Sequence, residues 1–357
     1  MISRLAGKAN QRLESFRLQR EMRRRQPPAL HTTPASTAPT VYYLGPDMDL
    51  PIGGIRVIYR HVDALRQMGI EAAVLHGTDG FRSTWFENQT RIEYTSQARI
   101  GPEDLLVVPE WYGPTLDRIP RDIRVVIFNQ RAYDTWDFVP YDETGAGAPY
   151  AGHDNVLAIL TVSRDNADLL GYAFPHLPVH LTRNAIDPAL FHPGDSLPGR
   201  RISFTTTRRA REREQLLHIL RSRDVLRGWE VVPIVDRTER ETAEIMRGSA
   251  IHLSFSDREG FGLPPAEAMA SGCYVIGYHG LAGREFFDPD YSTPVEDGDL
   301  VAFARAITDA CAEYDADPEA FCKRGRTASE RVLAKYSAAR LADDLRAFYT
   351  AMGVSSR

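Results

Sequence analysis

Residues 249–279 read SAIHLSFS, then DREGFGLPPAEAMASG, then CYVIGYH. The outer pieces are short runs rich in β-branched and aromatic residues, apolar along most of their length, as in strands of a parallel sheet covered on both faces. The middle piece carries a helix start: Pro264 and Pro265 suit a first turn, where a missing N–H costs nothing. Strand, helix and second apolar strand in sequence make a βαβ unit.

The same rhythm extends outward. RISFTTT (201–207) and WEVVPIV (229–235) precede this unit. An earlier series comprises TVYYL (40–44), EAAVLHG (71–77), DLLVVPE (104–110), RVVIFNQ (124–130) and VLAILTVS (156–163). Between its first two members a helical segment, 54–69, places Ile55, Val57, Ile58, Val62, Leu65 and Met68 on one face. Pro and Gly cluster between Pro188 and Gly199, and beyond residue 298 the chain reads as helical to its end. The expected class is α/β: two doubly wound, parallel-sheet (Rossmann-like) domains facing a cleft, with C-terminal helices. The expected boundaries are a basic tail at 1–25, a Pro/Ser/Thr linker at 26–39, a first domain at 40–187 and a linker at 188–199. A second domain at 200–335 and a final helix at 336–357 follow. One large α/β domain with extra helices is the alternative.

Composition bounds the function. At 357 residues the chain holds about two domains. Its 43% hydrophobic and 25% charged fractions are those of an ordinary globular protein. No apolar run approaches a membrane span, and MISRLAGKANQRLESF lacks a signal peptide's apolar core, so a cytoplasmic location is expected. Cys273, Cys311 and Cys322 form no C-x-x-C pair, which argues against a disulfide framework or a cysteine zinc site. The net charge of −5 argues against nucleic-acid binding. That charge is unevenly spread: residues 1–25 carry eight Lys/Arg and two Glu. Such a tail is either solvated or drawn to the anionic inner face of a membrane, giving peripheral contact.

Several patterns carry no chemistry. There is no P-loop, no H-E-x-x-H and no G-x-S-x-G. Gly145-Ala-Gly147-Ala-Pro149 follows a loop rather than a strand, and His176 and His180 are separated by Pro178. Asp47-Met-Asp49 follows a strand and is open to three readings: a divalent-cation site, a contact to substrate hydroxyls, or plain loop polarity.

The candidate site begins at Glu259 and Glu267, placed on the strand-to-helix loop and early in the helix. Gly260 and Gly262 let the backbone approach a ligand with no Cβ in the way, and the helix that follows begins with free amides, which make an anion site. Two flanking carboxylates suit a polyhydroxylated ligand with a phosphate between them. Gly53-Gly54, at the start of the first domain's first helix, offers a second set of amides. Arg208 and Arg209 follow the first strand of the second domain, where guanidinium groups pair phosphate oxygens; Arg211 and Arg213 continue the cluster. Glu110, Asn129 and Trp136, with Trp111, Tyr112 and Tyr133, stand at or after strand ends of the first domain and form a candidate acceptor surface or, equally, a packed rim.

Taken together, these residues resemble a known family over about residues 40–350. The E-x7-E spacing within EGFGLPPAEAMASG, the RNAIDPALFHP junction (183–193), Gly53-Gly54 and the ending AKYSAARLADDL are similar to retaining, nucleotide-sugar-dependent glycosyltransferases of family four, group 1 type, with the GT-B fold. The resemblance implies transfer of a sugar from a nucleotide-diphosphate donor to a hydroxyl of a glycan, glycolipid or small molecule, as in polysaccharide biosynthesis. Glu259 would meet the donor sugar, Glu267 the ribose, Gly262 and Leu263 the sugar and phosphate, and Arg208 or Arg209 the diphosphate. No cofactor and no catalytic metal are implied. The sequence departs from the pattern where an arginine cluster replaces the usual Arg…Lys pair, and where Phe128-Asn129-Gln130 stands in place of the family's histidine. Two other readings stay open: a sugar-nucleotide epimerase of the same fold, and a non-catalytic, membrane-associated binding subunit.

Overall fold

The computed structural model describes residues 18–35 and 38–354. Most of the basic tail, with the membrane contact weighed for it, falls on residues 1–17, outside the described residues; 18–24 are helical.

The first unit contains β1 (Val41–Leu44), α1 (Gly53–Gln67), β2 (Ala72–His76), β3 (Ile92–Tyr94), β4 (Leu105–Pro109), β5 (Arg124–Asn129), β6 (Val156–Thr161), α2 (Arg164–Ala173) and β7 (Val179–Leu181). Its seven-stranded sheet has the order β3-β2-β1-β4-β5-β6-β7. The second unit contains β8 (Gly199–Thr205), α3 (Ala210–Ser222), β9 (Glu230–Ile234), α4 (Glu239–Arg247), β10 (Ser249–Glu259), α5 (Leu263–Ala270), β11 (Tyr274–Leu281) and β12 (Ser292–Val295). Its sheet runs β12-β11-β10-β8-β9. All pairings are parallel, with Tyr43 of β1 facing Val74 on one side and Val107 on the other. Three helices close the chain: α6 (Leu300–Ala316), α7 (Pro318–Lys335) and α8 (Ala338–Ala351). This is the GT-B arrangement, two Rossmann-like sheets facing a cleft with C-terminal helices.

The strands whose side chains are buried on both faces are the ones the apolar runs predict. β1, β2 and β4 are buried at every position. Three further strands, β3, β7 and β12, escape that reading because they are three or four residues long and only partly buried. β10 also departs from expectation: it continues past Ser256 to Glu259, through a register shift against β11 and a left-handed Arg258 (φ 46°). Glu259 therefore sits on the strand end rather than on a free loop.

The Pro-rich stretch at 26–35 lies on the first domain. Ile100 N donates to His31 O at 2.9 Å, Thr33 N donates to Ile100 O at 3.0 Å, and Leu30 packs against the sheet's buried face. The last helix crosses back to the first domain: Tyr349 donates to the Tyr43 hydroxyl at 2.8 Å, and Arg124 to Met352 O at 2.9 Å. One apolar core thus runs through Tyr43, Phe128, Met246, Ala266 and Tyr349.

Candidate functional site

Each sheet reverses its strand order once, between β1 and β4 in the first and between β8 and β10 in the second. At such a switch point the connections leave to opposite faces, opening a crevice at the carboxyl ends of the strands. Gly53-Gly54 follows β1 and Glu110 follows β4; Arg208 follows β8 and Glu259 ends β10. The chain order of the four segments thus places the candidate residues at two crevices, and the crevices meet.

On the second-domain side, Arg208 Nε donates to Glu259 Oε1 at 3.0 Å, and the two side chains remain 34% and 18% exposed. Gly280 crowds the carboxylate: a Cβ there would stand 3.2 Å from Glu259 Cγ and 2.7 Å from Ser256 Cβ, at φ 60°. Arg209 is differently placed. It sits in the left-handed region, pairs with Glu212, Asp257 and Asp297, and lies 4.7 Å from the Tyr278 ring centre. Arg213 braces the same loop by donating to Thr206 O and Arg208 O, and Arg211 is exposed on α3. The helix start of α5 is narrower as an anion site than the sequence suggests. Pro264 and Pro265 remove two amides and Ala266 N already donates to Gly262 O, so the first turn offers the Leu263 N–H. Gly262 makes that approach possible by adopting φ 91° at the N-cap.

The first domain presses directly on this loop. A Cβ on Gly260 would lie 1.5 Å from Gln130 O, and one on Gly53 would lie 2.6 Å from Leu263 Cδ1. Gln130 Nε2 donates to Gly54 O at 3.1 Å. The N-termini of α1 and α5 therefore converge, and both dipoles favour an anion between them. Glu267, one turn into α5, is 5% exposed and is held by Arg56 of α1, which also donates to Glu239 Oε1 at 2.6 Å. Burial pushes the Glu267 carboxyl up, and the charge of Arg56 opposes that push. Two cavities open elsewhere, one beside Asp288 and Arg331, the other beside Arg200 and Arg247.

The candidate acceptor residues do not form an open aromatic face. Asn129 is fully buried and spent internally: it donates to Thr135 Oγ1 (2.6 Å) and Tyr150 Oη (3.2 Å) and accepts from Arg131 N (3.1 Å). Trp136 is 39% exposed but stacks on Phe174, centroids 5.8 Å apart, and donates to Ala148 O. The Trp111 ring is covered by Arg25 at 4.2 Å, Tyr112 is buried, and Tyr133 donates to Asp165. Glu110 accepts from Gln130 N at 3.1 Å, and burial pushes its carboxyl up to about 7. It is tied to the residue that meets Gly260.

Asp47 and Asp49 brace loops. Asp47 lies 2.8 Å from His76 Nδ1 and accepts from Thr78 N, while Asp49 accepts from Thr84 N at 2.8 Å. Among the described residues, no three His, Cys, Asp or Glu side chains gather to hold a metal ion. Four site residues escape sequence reading: Arg56, Gln130, Asn166 and Glu239. Asn166 is wholly buried, both its amide atoms lack a partner among the described residues, and its Nδ2 would stand 3.2 Å from a Cβ on Gly260. Arg56 and Glu239 pair across the cleft, and Gln130 and Asn166 abut Gly260, so no local spacing joins the four.

No family model matches the chain. It is 24% identical over 278 residues to an alpha-1,6-glucosyltransferase from Actinobacillus pleuropneumoniae serotype 7, covering 73% of this chain and 80% of that protein. Among solved structures it is similar to sucrose-phosphate synthase from Thermosynechococcus elongatus, with TM-score 0.61, 13% identity and coverage of 88% and 99% of the two chains. It is likewise similar to HepE from Anabaena in complex with UDP and glucose (TM-score 0.59, 11% identity, 87% and 99% covered). A third is the catalytic domain of starch synthase IV from Arabidopsis thaliana bound to ADP and acarbose (0.60, 12%, 88% and 99%). At these identities the shared property is the fold.

Proposed function

We propose that this protein is a glycosyltransferase that moves a sugar from a nucleotide-diphosphate donor to an acceptor hydroxyl, with retention of configuration. The observation that carries the reading is the meeting of two helix N-termini, α1 and α5, beside the Arg208–Glu259 pair at both switch points of one cleft. An anion with sugar hydroxyls on one side matches that arrangement. The relative from Actinobacillus and the nucleotide-bound neighbours support it.

In this reading Arg208 and the Leu263 amide take up the charge that develops on the leaving diphosphate, through preorganised donors rather than a metal. Glu259 accepts from the donor sugar's hydroxyls and Glu267 from the ribose. The departing diphosphate then takes the acceptor's proton on the face it leaves, which gives retention. Contact between Gln130 and the Gly260 loop keeps water from the bond being broken.

Thermal unfolding with UDP, GDP, dTDP, ADP and CDP, with and without Mg2+, tests the donor assignment. At about 100 times Kd a ligand adds roughly 2.7 kcal/mol. The expected result is a shift for one nucleotide, independent of Mg2+ and lost in Glu259→Gln with its sugar nucleotide. No shift with any nucleotide overturns the reading. Turnover of the sugar nucleotide without an acceptor would instead indicate an epimerase, and an inverted anomer in the product would remove the retaining mechanism.

A further inference from the structure

Arg56 and Arg60 of α1 face Glu239 at the start of α4 and Glu267 of α5 across the cleft. Arg56 Nη1 donates to Glu239 Oε1 at 2.6 Å, while its Nη2 donates to Glu267 Oε1. Arg60 Nη2 reaches the same Glu239 oxygen at 2.6 Å, and its Nη1 donates to Ala185 O at 3.0 Å. Arg56, Glu239 and Glu267 are 3%, 5% and 5% exposed, and the Trp85 ring lies 5.3 Å from the Arg56 guanidinium. Glu239 is itself fixed: its amide donates to Trp85 O at 3.2 Å, and Thr238 caps its helix through a reciprocal bond with Glu241.

Two cations and two anions balance here, yet cohesion alone does not call for them. Apolar side chains of similar volume join buried surfaces as well as an ion cluster does, because burying charge is expensive. What the charges supply is a carboxylate held in one orientation. Arg56 takes one oxygen of Glu267, and among the described residues the other oxygen accepts from nothing. A guanidinium fork spanning two carboxylates fixes both planes at once, which a lysine's single ammonium does not.

We infer that Arg56 is a positioning residue for nucleoside binding: from the opposite domain it anchors the Glu267 carboxylate so that its free oxygen accepts from the ribose diol, with Glu239 as the counter-anchor. This rests on the donor reading above and deepens it. Ribose recognition then reads cleft closure, because the residue that orients the acceptor group belongs to α1 and the acceptor group to α5. A donor engages Glu267 fully only when the domains are together.

The test uses the full chain and titration calorimetry with paired probes, each nucleoside diphosphate beside its 2′,3′-dideoxy analogue. A hydrogen bond to a charged group governs the ratio, so the wild type should prefer the ribose form by about tenfold or more. Arg56→Met should lose most of that preference, weakening the ribose form about tenfold while leaving the dideoxy form nearly unchanged. Arg56→Lys should fall between the two. Glu239→Gln, which keeps the volume and loosens the counter-anchor, should lose about threefold of the preference and carries the test if Arg56→Met does not fold. A purely cohesive role would weaken both forms equally, and that result overturns the inference while leaving the donor site intact. A wild type that binds the diphosphates without distinguishing the sugars removes the Glu267 assignment. A wild type that binds none of them overturns the donor reading and this inference together.

Discussion

The two faces of the cleft are built from the same kind of crevice and offer opposite chemistry. On the second-domain face, Arg208 and Glu259 pair with one another and keep open sides, and the Leu263 amide is uncapped. On the first-domain face, Asn129 is fully bonded within the fold and Gln130 is tied to Glu110, Gly54 and the Gly260 loop. In the proposed reading the strand ends of the second face offer side chains to a ligand, whereas those of the first are tied up within the fold or against the Gly260 loop.

The largest effect should come from removing a presented group. Arg208→Met is expected to lower the transfer rate by about 10²–10³, the range for loss of one donor to developing charge. Arg209→Met leaves Glu212, Asp257 and Asp297 without their shared cation, so it should lower the melting temperature before it lowers the rate. Steady-state kinetics beside a melting curve separates the two. Equal rate losses in both variants would erase the distinction between the arginines.

The next test attacks the contact at Gly260. Gly260→Ala puts a methyl group against the Gln130 carbonyl, backbone on backbone, and neither side has a rotamer to yield. The cleft must open, and misplacement of about 1 Å costs on the order of 10²-fold in rate. Small-angle scattering should report a larger radius of gyration beside that loss. A variant with full activity and unchanged dimensions would mean that catalysis does not need this contact.

The contrast between the faces also explains what the sequence could reveal. Glu259, Gly262, Leu263 and Glu267 lie within nine consecutive residues, so strand, turn and helix chemistry place them together without knowledge of the rest of the chain. The two doubly wound series are legible in the sequence because most of their strands form continuous apolar runs, buried at every position in β1, β2 and β4; the half-exposed β9 is read from its β-branched residues instead. Arg56 and Glu239 are 183 positions apart, and nothing local distinguishes Arg56 from the surface arginines around it. Asn129 reads equally as a ligand contact or as packing, because a polar residue at a strand end suits both, and Thr135 and Tyr150 fold over it. The edge strands β3, β7 and β12 were illegible because short, half-buried segments carry no continuous apolar run.

Asn129→Ala sharpens the buried side of the comparison. Removing its amide leaves Thr135, Tyr150 and the Arg131 N–H short of a partner, which should cost about 2 kcal/mol of stability. The acceptor's KM should move less than twofold. A large rise in KM without loss of stability, measured by denaturant unfolding and kinetics, would make Asn129 a substrate contact after all.

The smallest expected effect is the most diagnostic of burial. Burial pushes the Glu110 carboxyl up to about 7, and the bond it accepts from Gln130 N opposes that shift only in part. The folded state therefore holds a proton that the unfolded chain releases in the ordinary carboxylate range. Stability from this group is present at low pH and is lost as pH rises from that range through about 7. Glu110→Gln keeps an acceptor for the Gln130 amide and has no proton to lose. The variant should match the wild type near pH 5 and exceed it by about 1 kcal/mol near pH 8, once solvent contact of the half-buried side chain is allowed for. Denaturant melts across that pH range read the difference directly. A gap that stays constant with pH would place this carboxylate in solvent, and the first-domain face would then present a group to ligand just as the second does.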